Sequence, residues 1–265
     1  MPTDTLKPGA GNNLLLSNDD ASAKVEVKED GTNQITGNTG IGADSSGLSA
    51  KANQLVVGSG TGDQGLTIYA GTGSSSSAFF ADGTSGTDAY DGWVEYLHDQ
   101  RAMSFGTAGL ERMYLDENGI MVRTYQPTFY AYLTNPQTTL TDGVTLNFDE
   151  ELYDVGSNFD KTTKTFTAPI AGKYVFTLRG MFYAFDSSSQ QYFRLNIVTT
   201  DRYYHHIIGP DAWDSNPSYT SLAFCTTALM GASHTAYCTI SWSGGSAPTQ
   251  MSAGASYGEF SGYLL

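Results

Sequence analysis

The chain has 265 residues, with 27 Asp and Glu against 13 Lys and Arg, a formal net charge of −14, and only 15% charged residues. So acidic a surface repels phosphate backbones and argues against a nucleic-acid partner, and no run of roughly 18 apolar residues is present to cross a bilayer as a helix. With 30 Gly and 12% aromatics, the composition suits short strands and tight turns around a core, so the predicted class is all-β.

Composition shifts near residue 124. Residues 1–124 hold 19 of the 30 Gly and no Cys, whereas 125–265 hold both Cys and most of the aromatics. The predicted organisation is an arm at 1–23, a β-rich stem at 24–124 and a head at 125–265. The start, Met1-Pro2-Thr3-Asp4, lacks a basic segment followed by an apolar one, so the chain is expected to be made in a cytoplasm without a secretory signal.

In the arm, Pro2, Pro8, Gly9 and Gly11 lead into Leu14, Leu15 and Leu16, then Asn18-Asp19-Asp20. Two readings of the leucines stand side by side: local packing on the next strand, or a peptide that docks onto another protein.

In the stem, residues 24–28 alternate strictly and Glu29-Asp30-Gly31 turns. Further strands are predicted at 54–57, 66–69, 78–80, 93–97, 102–105, 112–115 and 120–122, separated by turn clusters at 71–77, 82–87 and 116–119. These strands are too short and too rich in glycine to make a thick core from one chain, so their apolar faces call for neighbouring copies wound about an axis. Gly60-Thr-Gly62-Asp-Gln-Gly65 matches a dinucleotide fingerprint in letters only, because it leads into another predicted strand and not a helix N-terminus.

The stem also carries Gly65-Leu-Thr-Ile-Tyr-Ala, Phe80-Ala-Asp-Gly-Thr-Ser-Gly, Val94-Glu-Tyr-x-His98, Phe105-Gly-Thr-x-Gly109-x-Glu111-Arg112-Met113 and Asn118-Gly119. Over about 60 residues this resembles stem segments of phage tail-fibre proteins.

The head has a run of large residues at fixed spacing: Phe148, Asp154, Phe159, Phe166, Gly172, Tyr174 and Phe176, with Leu178 two further on and Phe260, Gly262 and Leu264 at the end. Tyr174, Phe176 and Leu178 alternate and so share one strand face. Together with Gln126-Pro127-x-Phe129-x-Ala131-Tyr132 and Phe166-Thr-Ala-Pro169, this spacing is similar to the signature of the complement C1q globular head, in the tumour-necrosis-factor-like superfamily. The resemblance covers some 140 residues. It implies a ten-stranded jelly roll in a compact homotrimer, with a non-enzymatic role in binding proteins, sugars or other surface ligands.

Long loops are predicted at 185–191, 203–219 and 243–257. The second supplies the candidate ligand-binding residues Tyr203, Tyr204, His205, His206, Asp211, Trp213, Asp214 and Tyr219, since aromatics beside carboxylates suit sugar or protein recognition. The competing reading is that some of these aromatics close the end of the barrel. Adjacent His205 and His206 would point to opposite faces of a strand and make a poor chelating pair. Glu150, Glu151 and Asp154 read as a solvated strand edge more than as acid–base carboxylates. Cys225 and Cys238 flank a predicted hairpin turn at Gly231-Ala232-Ser233 and read as two reduced thiols, with a disulfide as the alternative.

No catalytic, cofactor or metal site is expected. The combined reading is a bacteriophage virion fibre or spike, a homotrimer. Its arm, through Leu14, Leu15 and Leu16, would join other virion proteins, and its head would meet a host cell-surface glycan or protein or decorate the particle. The alternatives are a free C1q-like lectin or ligand-binding protein and, behind it, a glycan-degrading fibre.

Overall fold

The computed structural model describes the backbone of four strands before residue 42, residues 49, 51 and 55–58, and all of 60–265. It divides into two units, Met1–Ser77 with Tyr96–Asp99, and Ala78–Glu95 with Gln100–Leu265. Among the described residues there is no α-helix, only two 3-10 turns at Gly86–Tyr90 and Pro210–Ala212. No helix there is long and apolar enough to cross a membrane.

In the first unit, β1 (Leu14–Ser17), β2 (Lys24–Val27) and β3 (Asn33–Thr36) form an antiparallel sheet, and β4 (Thr39–Ile41) pairs in parallel with β5 (Leu55–Val57). The β1–β2 pairing crosses the expected end of the arm at residue 23. The side chains of Leu14, Leu15 and Leu16 and residues 1–13 lie outside the described residues. The strand expected at 66–69 does not form: Leu66, Ile68 and Tyr69 are exposed, and the chain enters a strand only at β6 (Ser75–Phe80). Alternation without a partner strand is not enough to make a ladder. No helix follows Gly60-Thr-Gly62 either, so a pyrophosphate would find no helix N-terminus there.

β6, β7 (Gly92–Leu97), β8 (Ala102–Thr107), β9 (Leu110–Leu115) and β10 (Met121–Arg123) lie in the order β10-β9-β8-β7-β6. The stem motif has a local physical basis. A Cβ on Gly106 would lie 2.3 Å from the Trp93 indole, so only glycine lets that ring lie on the strand. Trp93 Nε1 donates to Ser104 Oγ at 3.0 Å, which donates to Glu111 Oε2 at 2.9 Å. At the β9–β10 turn, Asp116 Oδ1 accepts from the N–H of Ile120 at 2.7 Å and of Asn118 at 2.9 Å. Those donors, Ile120 first, hold its carboxyl below the usual range.

The head is an antiparallel jelly roll of two packed sheets. One contains β11 (Thr128–Tyr132), β12 (Glu150–Val155), β15 (Gly172–Tyr183), β18 (Tyr219–Met230), β20 (Gln250–Met251) and β21 (Gly258–Leu264), in the order β12-β11-β21-β15-β18, with β20 on β15. The other runs β13-β14-β19-β16-β17, from β13 (Phe159–Asp160), β14 (Thr165–Thr167), β16 (Tyr192–Thr199), β17 (Tyr203–Ile208) and β19 (Thr235–Ser243). The chain passes repeatedly from one sheet to the other, as it must when each sheet has one apolar face and buries it on its neighbour. This gives eleven strands where the resemblance implied ten, two of them only two residues long.

The signature residues build the core. Phe129, Phe148, Phe166, Tyr174, Phe176 and Phe260 are almost wholly buried, and Phe159 nearly so. Burying each such side chain contributes about 1.5–3 kcal/mol. Phe129 stacks on Phe166 at 4.9 Å and on Phe159 at 5.2 Å between centroids, and meets Phe260 edge-on at 5.0 Å. Leu264, half-buried, packs against this cluster, and a Cβ on Gly172 would lie 2.6 Å from Leu264 Cδ1. Asp154 is the polar member. Its Oδ2 accepts the Phe159 N–H at 2.8 Å and pins the turn through Gly156 and Ser157, both at positive φ.

The two cysteines correct the expected hairpin. β18 pairs with β15 and β19 with β14 and β16, so the turn between them carries the chain from one sheet to the other. Cys225 faces outward from the first sheet, and Cys238 lies in the core, where burial pushes its thiol well above the ordinary value.

Candidate functional site

The structure does not gather the sequence candidates into one loop. Residues 203–208 form the edge strand β17 with strict alternation, and only 209–218 remain as loop around the Pro210–Ala212 turn. Alternation decides which side chains are available. Tyr204 and Ile208 pack against the core and His206 stacks on Phe224 at 6.3 Å, whereas Tyr203, His205 and Ile207 face out.

Trp213 is a packing residue. It lies half-buried against the core and meets Phe185 edge-on at 5.5 Å. Asp211 and Asp214 are exposed beside it. Tyr219 is exposed but belongs to the other sheet, where it packs near Tyr183 at 6.3 Å. Among the described residues no group of three or more His, Cys, Asp and Glu is arranged to hold a metal ion.

The carboxylates near the signature are engaged structurally. Glu150 Oε1 pairs with Lys161 Nζ at 3.0 Å and also accepts the Glu151 N–H at 3.0 Å. That N–H, then Lys161, holds the Glu150 carboxyl below the usual range. Burial and the nearby Asp154 carboxylate raise that of Glu151. These groups lie on the β12 strand and its flank, and Asp154 is half-buried and not solvated as expected.

Two outward sheet faces carry more organisation than the loops, and sequence reading missed both. On the first, Tyr130 and Tyr153 are cross-strand partners with rings 6.1 Å apart, and Val175 pairs with Tyr263. Tyr130 Oη donates to Glu259 Oε2 at 2.7 Å, and Arg179 Nη2 donates to the same oxygen at 2.5 Å. Burial first, then the Glu259 carboxylate, push the Tyr130 phenol up to about 12.

On the second face, β16 presents Tyr192, Arg194, Asn196 and Val198 outward, because Phe193, Leu195 and Ile197 fill the core. Register places His205 and Thr239 on either side of Asn196, and Tyr203 and Tyr237 on either side of Val198. Asn196 donates to Thr239 Oγ1 and Ser241 Oγ at 3.2 Å each. The signal was present as every-other-residue polar and aromatic positions, Tyr192-x-Arg194-x-Asn196 and Tyr237-x-Thr239-x-Ser241, readable once these segments are taken as strands.

Comparison with known proteins agrees with the head described above. Residues 128–206 match the family model described as C1q domain. This C1q-like segment runs from β11 into β17, so it includes the signature from Phe148 to Phe176 but not Phe260, Gly262 and Leu264, and it includes half of the second outward face. Among solved structures, the globular domain of zebrafish complement 1qA protein is similar at 18% identity, with a TM-score of 0.39, over 53% of this chain and 97% of that one. Murine APRIL at pH 8.5 is similar at 9% identity, with a TM-score of 0.39, over 53% of this chain and 99% of that one. No curated protein matches the chain.

Proposed function

We propose that this chain is a trimeric, non-enzymatic fibre or spike protein of a bacterial virus, assembled in the host cytoplasm. An arm at 1–23 attaches it to the particle, a β stem spans 24–124, and a C1q-like head at 125–265 binds a host-surface ligand or decorates the particle. The observation that carries the assembly is the outward face of the β12-β11-β21-β15-β18 sheet. Its outward positions on β11, β21, β15 and β18 are Tyr, Thr, Ser, Val, Ala, Cys, Met and Leu, plus Lys173 at the start of β15 and one guanidinium and one carboxylate, Arg179 and Glu259, that neutralise each other. A broad face of low charge, on which Tyr130 and Arg179 both donate to Glu259, suits a second copy of itself better than water. Leu110, Leu115 and Met121 of the stem sheet and Ile120 in the turn before β10 are also exposed on one chain, which adds to the same argument. The bacteriophage assignment rests on the stem motifs, to which Trp93, Ser104, Gly106 and Glu111 give a physical role.

The test is electron microscopy of virus particles labelled with an antibody to residues 125–265. Label at the tips of particle appendages supports the reading, and particles that carry no label overturn it. A second reading, a free C1q-like ligand-binding protein, is favoured by the C1q match itself. Under it the chain would be recovered apart from particles.

A further inference from the structure

The chain carries 27 acidic residues and a net charge of −14, yet the outward positions of β16, β17 and β19 hold no Asp or Glu. Tyr192, Arg194, Asn196 and Val198 lie on β16, Tyr203, His205 and Ile207 on β17, and Tyr237, Thr239, Ser241 and Ser243 on β19. This is three adjacent strands with an arginine at the centre, a histidine one strand away and tyrosines at both ends. At the β16–β17 turn the Asp201 carboxylate lies 2.9 Å from His234 Nδ1.

The face is preorganised. Val198 is buried although it points away from the core, so flanking side chains cover it. Asn196 is fixed by its two hydroxyl partners. The Arg194 guanidinium lies over the Tyr192 ring at 4.4 Å from the centroid, which holds the fork flat. Among the described residues Arg194 has no carboxylate partner, and its Nε is buried without an acceptor. A buried donor without a partner is costly, and a guanidinium held in place suits paired contacts with a carboxylate or sulfate. Tyrosine rings on either side offer flat faces for the apolar sides of sugar rings.

We propose that this outward face binds an anionic glycan, with Arg194 and His205 meeting the acidic group and Tyr203 and Tyr237 stacking on the sugar. The assignment rests on the adhesion reading, moves the recognition site from the 203–219 loop to a sheet face, and names the ligand class. A face that is free of carboxylates on a strongly acidic chain is the charge complement of such a ligand, and three copies per fibre would multiply a weak contact.

The experiment is calorimetric titration of the intact chain with oligogalacturonate, with sulfated dextran and with uncharged malto-oligosaccharide, in low and high salt. In parallel, the chain's binding to host cells is measured. Binding of either anionic probe, weakened by salt, with none to the uncharged sugar, is the expected result. Arg194→Gln removes the guanidinium while keeping a polar side chain and should weaken binding about tenfold, with melting temperature and assembly mass unchanged. Tyr203→Ala alters a residue that is 72% exposed, so it tests the site without threatening the fold, and it should weaken binding severalfold. Equal binding of the uncharged sugar, no binding of any probe, or undiminished binding by both variants overturns the proposal. If cells are bound while the probes are not, the glycan assignment alone falls. If cells are not bound, the adhesion reading falls with it.

Discussion

Gly262 and Phe176 face each other across the β21–β15 ladder, and a Cβ on Gly262 would lie 2.6 Å from Phe176 Cδ1 and 3.0 Å from Phe129 Cε1. The glycine is therefore a steric requirement of the aromatic core. Gly262→Ala forces one ring off its rotamer and should destabilise the head by about 1–3 kcal/mol. Chemical denaturation of the variant checks this, and unchanged stability would show that the core has room there.

Trp213→Ala should lower stability by about 2 kcal/mol. The side chain packs edge-on against the fully buried Phe185, and truncating large core aromatics costs about 3–5 kcal/mol when burial is complete. A melting curve that does not move, with loss of ligand binding, would return Trp213 to the recognition site.

Tyr130 gives a pH signature. Its phenol is raised from 10.0 to about 12 in the folded chain by burial and by Glu259. A raised acid favours its neutral form in the fold, so its stabilisation is present below about pH 10 and is lost as pH rises towards about 12. Tyr130→Phe should cost about 1 kcal/mol at neutral pH and should show a shallower loss of stability over that alkaline window. Denaturation midpoints measured across the window would reveal it, and identical slopes would place the phenol outside the network.

Cys225 and Cys238 sit in opposite sheets with one thiol outward and one in the core. They should not form an intramolecular disulfide, and Cys238 should resist alkylation until the protein is unfolded. Mass spectrometry after labelling under native and denaturing conditions reads both. A reductant-dependent mass shift of two hydrogens would contradict the topology.

The head was legible because its signature is a packing pattern: inward aromatics alternate along β15, and glycines stand where facing rings need space. The cysteine hairpin misled because Gly231-Ala232-Ser233 signals a reversal of direction, and a reversal looks alike whether the next strand pairs beside the last or crosses to the other sheet. The 203–219 segment read as loop because polar and aromatic residues mix there, yet β17 is an edge strand whose inner residues are Tyr204, His206 and Ile208. Trp213 looked like a ligand contact because it sits among Asp211, Asp214 and Pro210, and its partner Phe185 lies far away in sequence. Leu66 and Ile68 stand two apart as inward residues of a strand should, with Tyr69 beside them, but no partner strand lies next to this run in the described residues.

The central claim is assembly through the outward face that holds Tyr130, Arg179 and Glu259. Light scattering on the purified intact chain tests it most directly. The account predicts a particle of three times the 28.4 kDa chain mass, stable to dilution into the micromolar range. A monodisperse species at 28.4 kDa would contradict it.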